Sequence, residues 1–375
     1  MQLDFENYYN GEDPEYLSKQ LITYIGSKRA LLNFIGQGVS FVKERLAKEK
    51  LNIFDVFSGS GVTARYFKQY SKKLFVNDLE DYSRVTNRCY LTNRHELDEK
   101  ILKEIYNDLF LKLSDGYRLK GFISDMYSPV SDTVIEHGER VFYTTSNALY
   151  LDTVRQLIDN IDDSYQDYFL APLLSEASIH ANTSGVFKGF YKNKESGIGQ
   201  FGGNNKDALL RILGNIELKY PLFSKYECEV EIFQGDSNTV VINKSEVDLA
   251  YLDPPYNQHP YGSNYFMLNL LVNYTKPENI SPVSGIPVDW NRSNFNKKRE
   301  AYNSFKELVE NINAKYLLVS FNSDGYIKLE EMIELLERVG RVQVLETKYN
   351  TFRGSRNLKA RDIHVKEYLY LVEKR

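Results

Sequence analysis

Runs of apolar residues predict a sheet that is built from both ends of the chain. Residues 51–57 and 73–78 are mostly apolar and predict two buried strands, and residues with helical spacing follow each of them. A strand–helix–strand–helix order at this spacing predicts parallel strands, because the chain must cross back over the sheet between them. Residues 31–46 also have helical spacing, and Ser27 is the expected N-cap of that helix.

The second half of the chain predicts the rest of the sheet. Five further runs have strand character: residues 226–234, 247–252, 316–321, 341–349 and 367–373. No helical stretch separates the last two runs, so we expect them to form an antiparallel pair at one edge. Residues 96–225 are helical or irregular, with helices expected at 147–158 and 165–180. The pattern predicts an α/β protein in which 1–95 and 226–375 form one domain and 96–225 is a mainly helical insertion.

The composition is that of a soluble globular protein. Hydrophobic residues make up 42% of the 375 residues and charged residues 26%, which excludes bulk disorder. No apolar run approaches the roughly 18–20 residues of a membrane span, and the polar, acidic start is unlike a secretory signal. Cys89 and Cys228 lie far apart, and neither they nor the five histidines show metal-ligand spacing. We therefore expect a cytoplasmic protein without a metal site.

The charge is unevenly distributed. A net charge of −4 argues against a nucleic-acid partner if it is taken alone. Residues 95–182, however, carry 16 acids and 7 bases, whereas residues 341–375 carry 9 bases and 4 acids and residues 183–206 carry 4 bases and 1 acid. Local charge rather than the total decides attraction to phosphates. The basic stretches are therefore either solvated faces or contacts to nucleic acid.

The first predicted strand runs into a glycine turn. Asp55 lies at the end of that strand, Gly59 and Gly61 follow, and Gly59-x-Gly61-x-x-Ala64 satisfies the dinucleotide-binding pattern. A carboxylate is unfavourable beside a pyrophosphate, but it can pair with the ammonium of S-adenosylmethionine. Asp78, at the end of the next strand, could accept hydrogen bonds from a ribose in either case. Asp55 thus favours S-adenosylmethionine over NAD, and a plain strand-to-helix turn is the third interpretation.

A second candidate site follows the apolar strand at 247–252. Asp253, Pro254, Pro255 and Tyr256 form a rigid corner at the carboxyl end of that strand, where open α/β sheets bind ligands. The corner offers a carboxylate, a prolyl carbonyl and an aromatic ring. These groups suit the exocyclic amine of a planar base, because both amine hydrogens find acceptors while the ring stacks. Catalysis there would consist of positioning and stabilisation of developing positive charge.

The order of the motifs resembles the D12 class of adenine-specific DNA methyltransferases. The motifs are Tyr24-Ile25-Gly26-Ser27-Lys28, Asp55-Val56-Phe57-Ser58-Gly59-Ser60-Gly61 and Asp253-Pro254-Pro255-Tyr256. Residues 317–323 and 350–356 resemble later segments of the family, so the likeness covers most of the chain. The resemblance implies a Rossmann-like, S-adenosylmethionine-dependent methyltransferase sheet. It also implies double-stranded DNA as the partner and residues 96–225 as the target-recognition domain.

The resemblance further implies roles for individual residues. The implied cofactor-binding set is Tyr24, Lys28, Asp55, Phe57, Ser58, Gly59, Gly61, Asp78 and Asp236. Tyr24 and Lys28 would help to hold the methionine tail, and Asp78 would bind the ribose. Asp236 would take the amine of the cofactor's adenine, with Glu229 or Glu231 as rivals. Residues 253–256 would form the catalytic loop.

Contact with DNA requires a flipped base, because a base inside a duplex cannot reach a buried corner. Lys188, Lys192 and Gln200 lie in a stretch that mixes amides, hydroxyls, aromatics and bases, and they are the candidate DNA-facing residues. Arg353 and Arg356 are expected to contact phosphates. We expect a monomer, because each event modifies one strand. A cognate restriction endonuclease encoded nearby is a further expected partner, although activity would not require it.

Other functions stay open at this stage. The acceptor could be N4 of cytosine, RNA or a glutamine side chain, although those enzymes more often carry Ser or Asn where Asp253 stands. An NAD-binding oxidoreductase could use Gly59, Gly61 and Ala64. A DNA-binding regulator that retains the fold without catalysis is the remaining class.

Overall fold

The computed structural model describes residues 11–19, 21–242, 244–323, 325–350 and 364–375. Within these ranges the strands form one seven-stranded sheet. The strands are β1 (Leu51–Asp55), β2 (Ser71–Asp78), β3 (Glu229–Gln234), β4 (Val247–Leu252), β5 (Ala314–Asn322), β6 (Gly340–Asn350) and β7 (His364–Lys374). Their order across the sheet is β3-β2-β1-β4-β5-β7-β6.

The sheet topology agrees with the sequence pattern. The five strands β1 to β5 pair in parallel, and β7 runs antiparallel to both β5 and β6. This confirms the α/β class and the antiparallel pair at one edge. From β1 the chain continues to β2 on one side, whereas β4 lies on the other side. The carboxyl ends of β1 and β4 therefore flank the point where the strand order reverses, which is where such sheets bind ligands.

Helices lie before and between the strands of the described chain. They are α1 (Pro14–Ser18), α2 (Leu32–Leu46), α3 (Val62–Lys68), α4 (Asp81–Leu91), α5 (Glu99–Ser114), α6 (Phe122–Tyr127), α7 (Thr145–Ile158), α8 (Asp163–Ile179), α9 (Leu209–Leu213), α10 (Ser237–Val240), α11 (Tyr261–Asn264), α12 (Phe266–Asn273), α13 (Ala301–Asn311) and α14 (Leu329–Glu337). No helix in the described ranges is long and apolar enough to cross a membrane.

Two apolar cores cover the two faces of the sheet. Side chains alternate along a strand, so Ile53 packs into one core and its neighbour Phe54 into the other. The first core includes residues of α2, α3, α4 and the inserted helices, for example Val39 and Leu173. The second includes residues of α13 and α14, for example Leu308. Both faces are thus buried, as a parallel sheet requires.

The inserted segment at 96–225 contains α5 to α9 in the described structure. Its longest helix, α8, packs against α4 and α12 of the sheet domain. A bridge between Lys192 and Gly199 closes a small hairpin in its second half. The segment is therefore attached directly to the helices beside the sheet, and its assignment as a target-recognition domain stays a prediction.

The expected N-cap at Ser27 is wrong. A 3₁₀ turn at Lys28–Leu31 follows Ser27, α2 begins only at Leu32, and the Ser27 side chain makes no capping hydrogen bond. The physical reason lies just before it. Gly26 has φ of 72°, and the Ile25 amide donates to the Tyr265 hydroxyl at 2.6 Å. The chain is thereby held in a turn, and the helix starts later.

Candidate active site

A cleft of about 790 Å³ opens at the carboxyl ends of β1, β2 and β4. Segments that are distant in the sequence line it: residues 24–28, 57–63, 77–80, 235–237, 253–255 and 291–296. It joins the glycine turn to the rigid corner after β4. The two candidate sites of the sequence are therefore parts of one cavity.

The glycine turn after β1 has a conformation that favours glycine. Gly59 and Gly61 have φ of 54° and 78°. A Cβ on Gly59 would lie 3.0 Å from the Tyr24 ring, and one on Gly61 would lie 2.9 Å from Asn87 Oδ1. The Ser58 hydroxyl donates to the same Asn87 oxygen at 3.1 Å. The turn is thus packed closely against its neighbours, and its backbone reaches the cleft.

Asp55 is the last residue of β1, two residues before the first cleft-lining residue of the turn, and is fully buried. Within the described chain, neither of its carboxylate oxygens has a hydrogen bond of standard geometry. Burial raises the pKa of Asp55 to about 8; the nearby Thr63 hydroxyl lowers it, and the negative charge of Asp253 raises it further. A buried carboxylate without a partner is costly. The site therefore suits a cationic group, reached directly or through water.

Tyrosine rings form one wall of the cleft. The Tyr24 ring stacks on the rings of Tyr261 and Tyr265, with centroids 5.0 Å and 4.7 Å away. Its hydroxyl lies 3.0 Å from the hydroxyl of Tyr82. The wall combines apolar surface with electron-rich ring faces, which attract cations.

Three further predicted residues line the same cleft, and two of them also support its backbone. Asp78 accepts hydrogen bonds from the Gly59 amide at 2.7 Å and, through its other oxygen, from the Glu80 amide at 3.0 Å. Asp236 caps α10 by accepting from the Asn238 amide at 3.0 Å. The Phe57 ring packs edge-on against another ring of the cleft region. Their role as cofactor ligands stays a prediction.

The corner after β4 holds a buried ion pair. Lys28 Nζ lies 3.2 Å from Asp253 Oδ1 and 2.6 Å from Glu367 Oε1. Burial raises the pKa of Asp253 to about 7, and the opposing charge of Lys28 keeps it from rising further. The structure thus directs the Lys28 ammonium to the proposed catalytic carboxylate, while Lys28 also lines the cleft where its role at the methionine tail was expected.

The rest of the loop at 253–256 is anchored on two sides. Pro254 is buried, and Pro255 lines the cleft beside Asp253. The Tyr256 ring packs edge-on against Phe321 with centroids 5.8 Å apart, and its carbonyl accepts from the Tyr326 amide at 3.0 Å. The corner is therefore fixed by the strand behind it and by the loop after β5.

Three of the five predicted DNA-contacting residues lie in the described part of the chain. Lys188 is exposed. The pKa of His259, just past the catalytic loop, is lowered by the burial of that histidine and, to a smaller extent, by the charge of Lys188. Lys192 lies on the small hairpin with its ammonium 4.9 Å from the ring of Phe190. Gln200, at the end of that hairpin, accepts a hydrogen bond from an asparagine amide at 3.3 Å. Arg353 and Arg356 lie outside the described residues.

The protein family is identified by a match that covers most of the chain. Residues 24–334 match the family of D12 class N6 adenine-specific DNA methyltransferases. The chain belongs to this family. The match spans every segment that lines the cleft, from Tyr24 to Asn296. The resemblance and the methyltransferase fold expected from the sequence are thereby confirmed.

Similar proteins include type II methyltransferases that align with this D12 methyltransferase over nearly their whole length. This chain is 30% identical over 364 residues to M.NlaIII of Neisseria lactamica, and the match covers 94% of this chain and 99% of that protein. It is 29% identical over 357 residues to M.CviAII of Paramecium bursaria Chlorella virus 1, covering 94% and 98%. Against M.FokI of Planomicrobium okeanokoites the identity is 26%, and the match covers 94% of this chain but 52% of that protein.

The D12 methyltransferase has cleft residues that the sequence did not reveal. Glu80 is buried, and its carboxylate accepts from Asn269 at 2.6 Å and from Asn291 at 3.1 Å. Burial raises the pKa of Glu80 to about 8, against the lowering effect of Asn269. Two other residues were also missed: Tyr261, which lines the cleft, and Glu367, which pairs with Lys28 away from the cleft. Glu80 lies two residues after Asp78, and this position just past a strand end could have marked it as a cleft residue. No local sequence pattern marks Glu367.

Proposed function

We propose that this methyltransferase transfers the methyl group of S-adenosylmethionine to N6 of an adenine flipped out of duplex DNA. The observation that carries the proposal is the Asp253 carboxylate at the end of the central strand β4. Its buried Oδ1 lies 3.2 Å from the Lys28 ammonium, while the side chain as a whole is 16% exposed. The same residue lines the cleft that contains the glycine turn. An acceptor for an amine thus stands beside a pocket for a methyl donor.

The cleft residues fit S-adenosylmethionine. Asp55 is buried and has no hydrogen bond of standard geometry within the described chain, and its carboxylate offers the counter-charge for the ammonium of the methionine tail. The ring of Tyr24 and the turn at Gly59 flank that position, and Asp78 and Asp236 are the acceptors for ribose and adenine. When bound, the cofactor supplies an electrophilic methyl group on a positively charged sulfur. A carboxylate at the end of β1 makes the cleft unsuited to a pyrophosphate.

The corner at 253–256 would bind and orient the target adenine. Asp253 accepts one N6 hydrogen, and the carbonyl of Pro254 accepts the other, while the Tyr256 ring stacks on the base. Two acceptors draw the amine toward a tetrahedral arrangement and direct its lone pair into the cleft. Fixed acceptors in a desolvated site also stabilise the positive charge that develops on the nitrogen. Asp253 must be ionised for this task.

The inserted segment at 96–225 would recognise the DNA. Lys188 lies beside the catalytic loop, where a phosphate next to a flipped base would pass. Flipping costs a few kcal/mol, which stacking and backbone contacts offset. Because M.NlaIII and M.CviAII are named type II methyltransferases, we propose that the protein protects host DNA from a cognate restriction endonuclease. We also propose that it acts as a monomer, because each event modifies one strand.

The test is direct measurement of the modified base. Purified protein is incubated with plasmid DNA and tritiated S-adenosylmethionine, and the DNA is digested to nucleosides for mass spectrometry. We expect N6-methyladenine. Asp253→Asn should bind the cofactor but leave the DNA unlabelled, whereas Glu334→Gln, on the exposed face of α14, should behave as the parent protein. Label on cytosine or no label would contradict the proposal.

A further inference from the structure

We infer that Glu367 is a positioning residue for methyl transfer: it draws the Lys28 ammonium away from Asp253, so that the Asp253 carboxylate stays a strong acceptor for the substrate amine. Glu367 lies on β7, remote in sequence from every motif of the cleft. The inference rests on the proposed function, because it assigns Asp253 the task of accepting an N6 hydrogen.

The three charged groups form a buried row with unequal spacing. The ammonium of Lys28 lies 2.6 Å from Glu367 Oε1 but 3.2 Å from Asp253 Oδ1. The side chains of Lys28 and Glu367 are 5% and 3% exposed, whereas that of Asp253 is 16% exposed and opens into the cleft. The ammonium is thus bound mainly by the carboxylate that is away from the cleft.

A second contact fixes the orientation of Glu367. The Ser320 hydroxyl donates to the same Glu367 oxygen at 2.8 Å. Ser320 lies on β5, which pairs with β7 along both strands, with Asn322 opposite Glu367. The carboxylate is therefore held by two central strands rather than by a loop. Side chains on such strands are positioned more precisely than those on loops.

The unequal spacing leaves Asp253 only partly neutralised by Lys28. The ammonium contacts Asp253 Oδ1 at 3.2 Å, which is longer than its 2.6 Å contact with Glu367. Oδ1 is enclosed, whereas the Asp253 side chain as a whole is 16% exposed, so a substrate amine would reach the carboxylate at its other oxygen. Without the Glu367 charge, the Lys28 ammonium would move closer to Asp253 and draw charge away from the carboxylate. Glu367 thereby leaves Asp253 paired with Lys28 and still able to accept a substrate N–H.

The charges around Asp253 predict opposite effects of the two partners on pH dependence. The groups that face it are Lys28, Glu367, Asp55, Tyr251, Tyr256 and Tyr261. Lys28 lowers the pKa of Asp253, and Glu367 raises it. Removing the Glu367 charge should therefore lower the pKa of Asp253, and removing the Lys28 charge should raise it.

The experiment compares four variants with the parent protein: Glu367→Gln, Lys28→Met, the double variant, and Glu373→Gln as the control. Glu373 lies on the same face of β7 and accepts from the Tyr316 hydroxyl, but it is far from the cleft and exposed. The single-turnover rate constant of methyl transfer to DNA is measured against pH, together with the Kd for S-adenosylmethionine and the melting temperature.

For Glu367→Gln we expect a plateau rate about tenfold lower, the loss of roughly one charged hydrogen bond, with cofactor Kd unchanged. The acid limb of the pH–rate profile, where the rate falls because Asp253 becomes protonated, should move to lower pH. Lys28→Met should move the limb to higher pH, and the double variant should be no slower than Lys28→Met, because Glu367 acts through Lys28. Glu373→Gln should match the parent protein.

Two outcomes would overturn the inference: a Glu367→Gln profile that coincides with that of Glu373→Gln, or an acid limb that moves upward. Should Glu367→Gln fail to fold, Ser320→Ala loosens the same carboxylate and should shift the limb in the same direction, and an unshifted limb would again overturn it. A parent protein that leaves adenine unmethylated refutes the proposed function instead, so the two failures are distinguishable.

Discussion

The Gly59 amide donates a 2.7 Å hydrogen bond to Asp78 Oδ2, which ties the turn after β1 to the last residue of β2. Asp78 was expected to bind a ribose, yet one of its oxygens already supports the turn that would lie under the cofactor. We propose that both functions meet in one carboxylate because β1 and β2 are adjacent and parallel. Binding of the cofactor and rigidity of the turn should therefore be coupled.

Asp78→Ala should weaken binding of S-adenosylmethionine by at least about tenfold, since the turn loses its acceptor and the ribose loses its ligand. The fluorescence of the single tryptophan, Trp290, reports binding because its neighbour Asn291 lines the cleft. Asp81→Ala, at the start of the following helix, is the matched control and should bind as the parent protein does. Equal affinities of the two variants would refute the coupling.

Cofactor binding should release a proton at neutral pH. Burial raises the pKa of Asp55 to about 8 in the free protein, so the carboxyl is mostly protonated at pH 7. An ammonium placed against it favours the carboxylate, and the proton leaves. Calorimetry at pH 7 in phosphate and in Tris should therefore give different binding enthalpies, and the difference should shrink at pH 9.

Two variants locate the source of that proton. Asp55→Asn should remove most of the buffer dependence and weaken binding, because the amide has no charge for the ammonium. Asp81→Asn should retain both. Proton uptake on binding, or equal enthalpies in the two buffers for the parent protein, would show that Asp55 does not meet the cation.

The free protein should become less stable between about pH 5 and pH 8. Asp55 and Glu80 have pKa values of about 8 when folded, whereas unfolded carboxyls titrate near 4. Across that window the folded state binds more protons than the unfolded state, so the free energy of unfolding falls as pH rises. Urea midpoints measured across the window check this.

The matching double substitution is Asp55→Asn with Glu80→Gln, which should reduce the slope of the urea midpoint against pH and leave the part that Asp253, with its pKa raised to about 7, contributes. Saturating S-adenosylmethionine should also flatten the profile at the upper end, because its ammonium stabilises the ionised form of Asp55. A parent midpoint that rises from pH 5 to pH 8 would contradict the raised pKa values.

The parts of the site that could be predicted lie within continuous motifs. The turn at Gly59 and Gly61 and the corner at Asp253 follow from local rules: glycine at positive φ, proline at the end of a strand, and an apolar run before each. The partner of Lys28 could not be predicted in this way. Glu367 reaches it only because β7 inserts antiparallel between β5 and β6, and a strand pattern does not specify its neighbours.

Burial of single polar residues was the second thing that the sequence could not specify. Glu80 reads as an ordinary acid at the start of a helix. It is enclosed because Asn269 and Asn291, from two distant segments, converge on it. The same limit applies to Asp55, whose position in a strand predicted burial but not the absence of a hydrogen-bond partner within the described chain.

Lys188 should contact a DNA phosphate beside the catalytic loop. Lys188→Ala is expected to weaken DNA binding to a similar extent for all sequences and to reduce the slope of log K against log salt by about 1, because one fewer counterion is released. Fluorescence anisotropy with labelled duplexes at several salt concentrations measures both. Cofactor affinity should stay the same, since Lys188 does not line the cleft.

A second readout connects Lys188 to the loop itself. Burial and the Lys188 charge both lower the pKa of His259, so Lys188→Ala should raise that pKa, which NMR titration of the imidazole follows. Lys100→Ala, on the exposed face of α5, removes the same charge away from the loop and should change neither the pKa nor the salt slope. If both lysine variants gave the parent salt slope, the phosphate contact would have to lie elsewhere on the inserted segment.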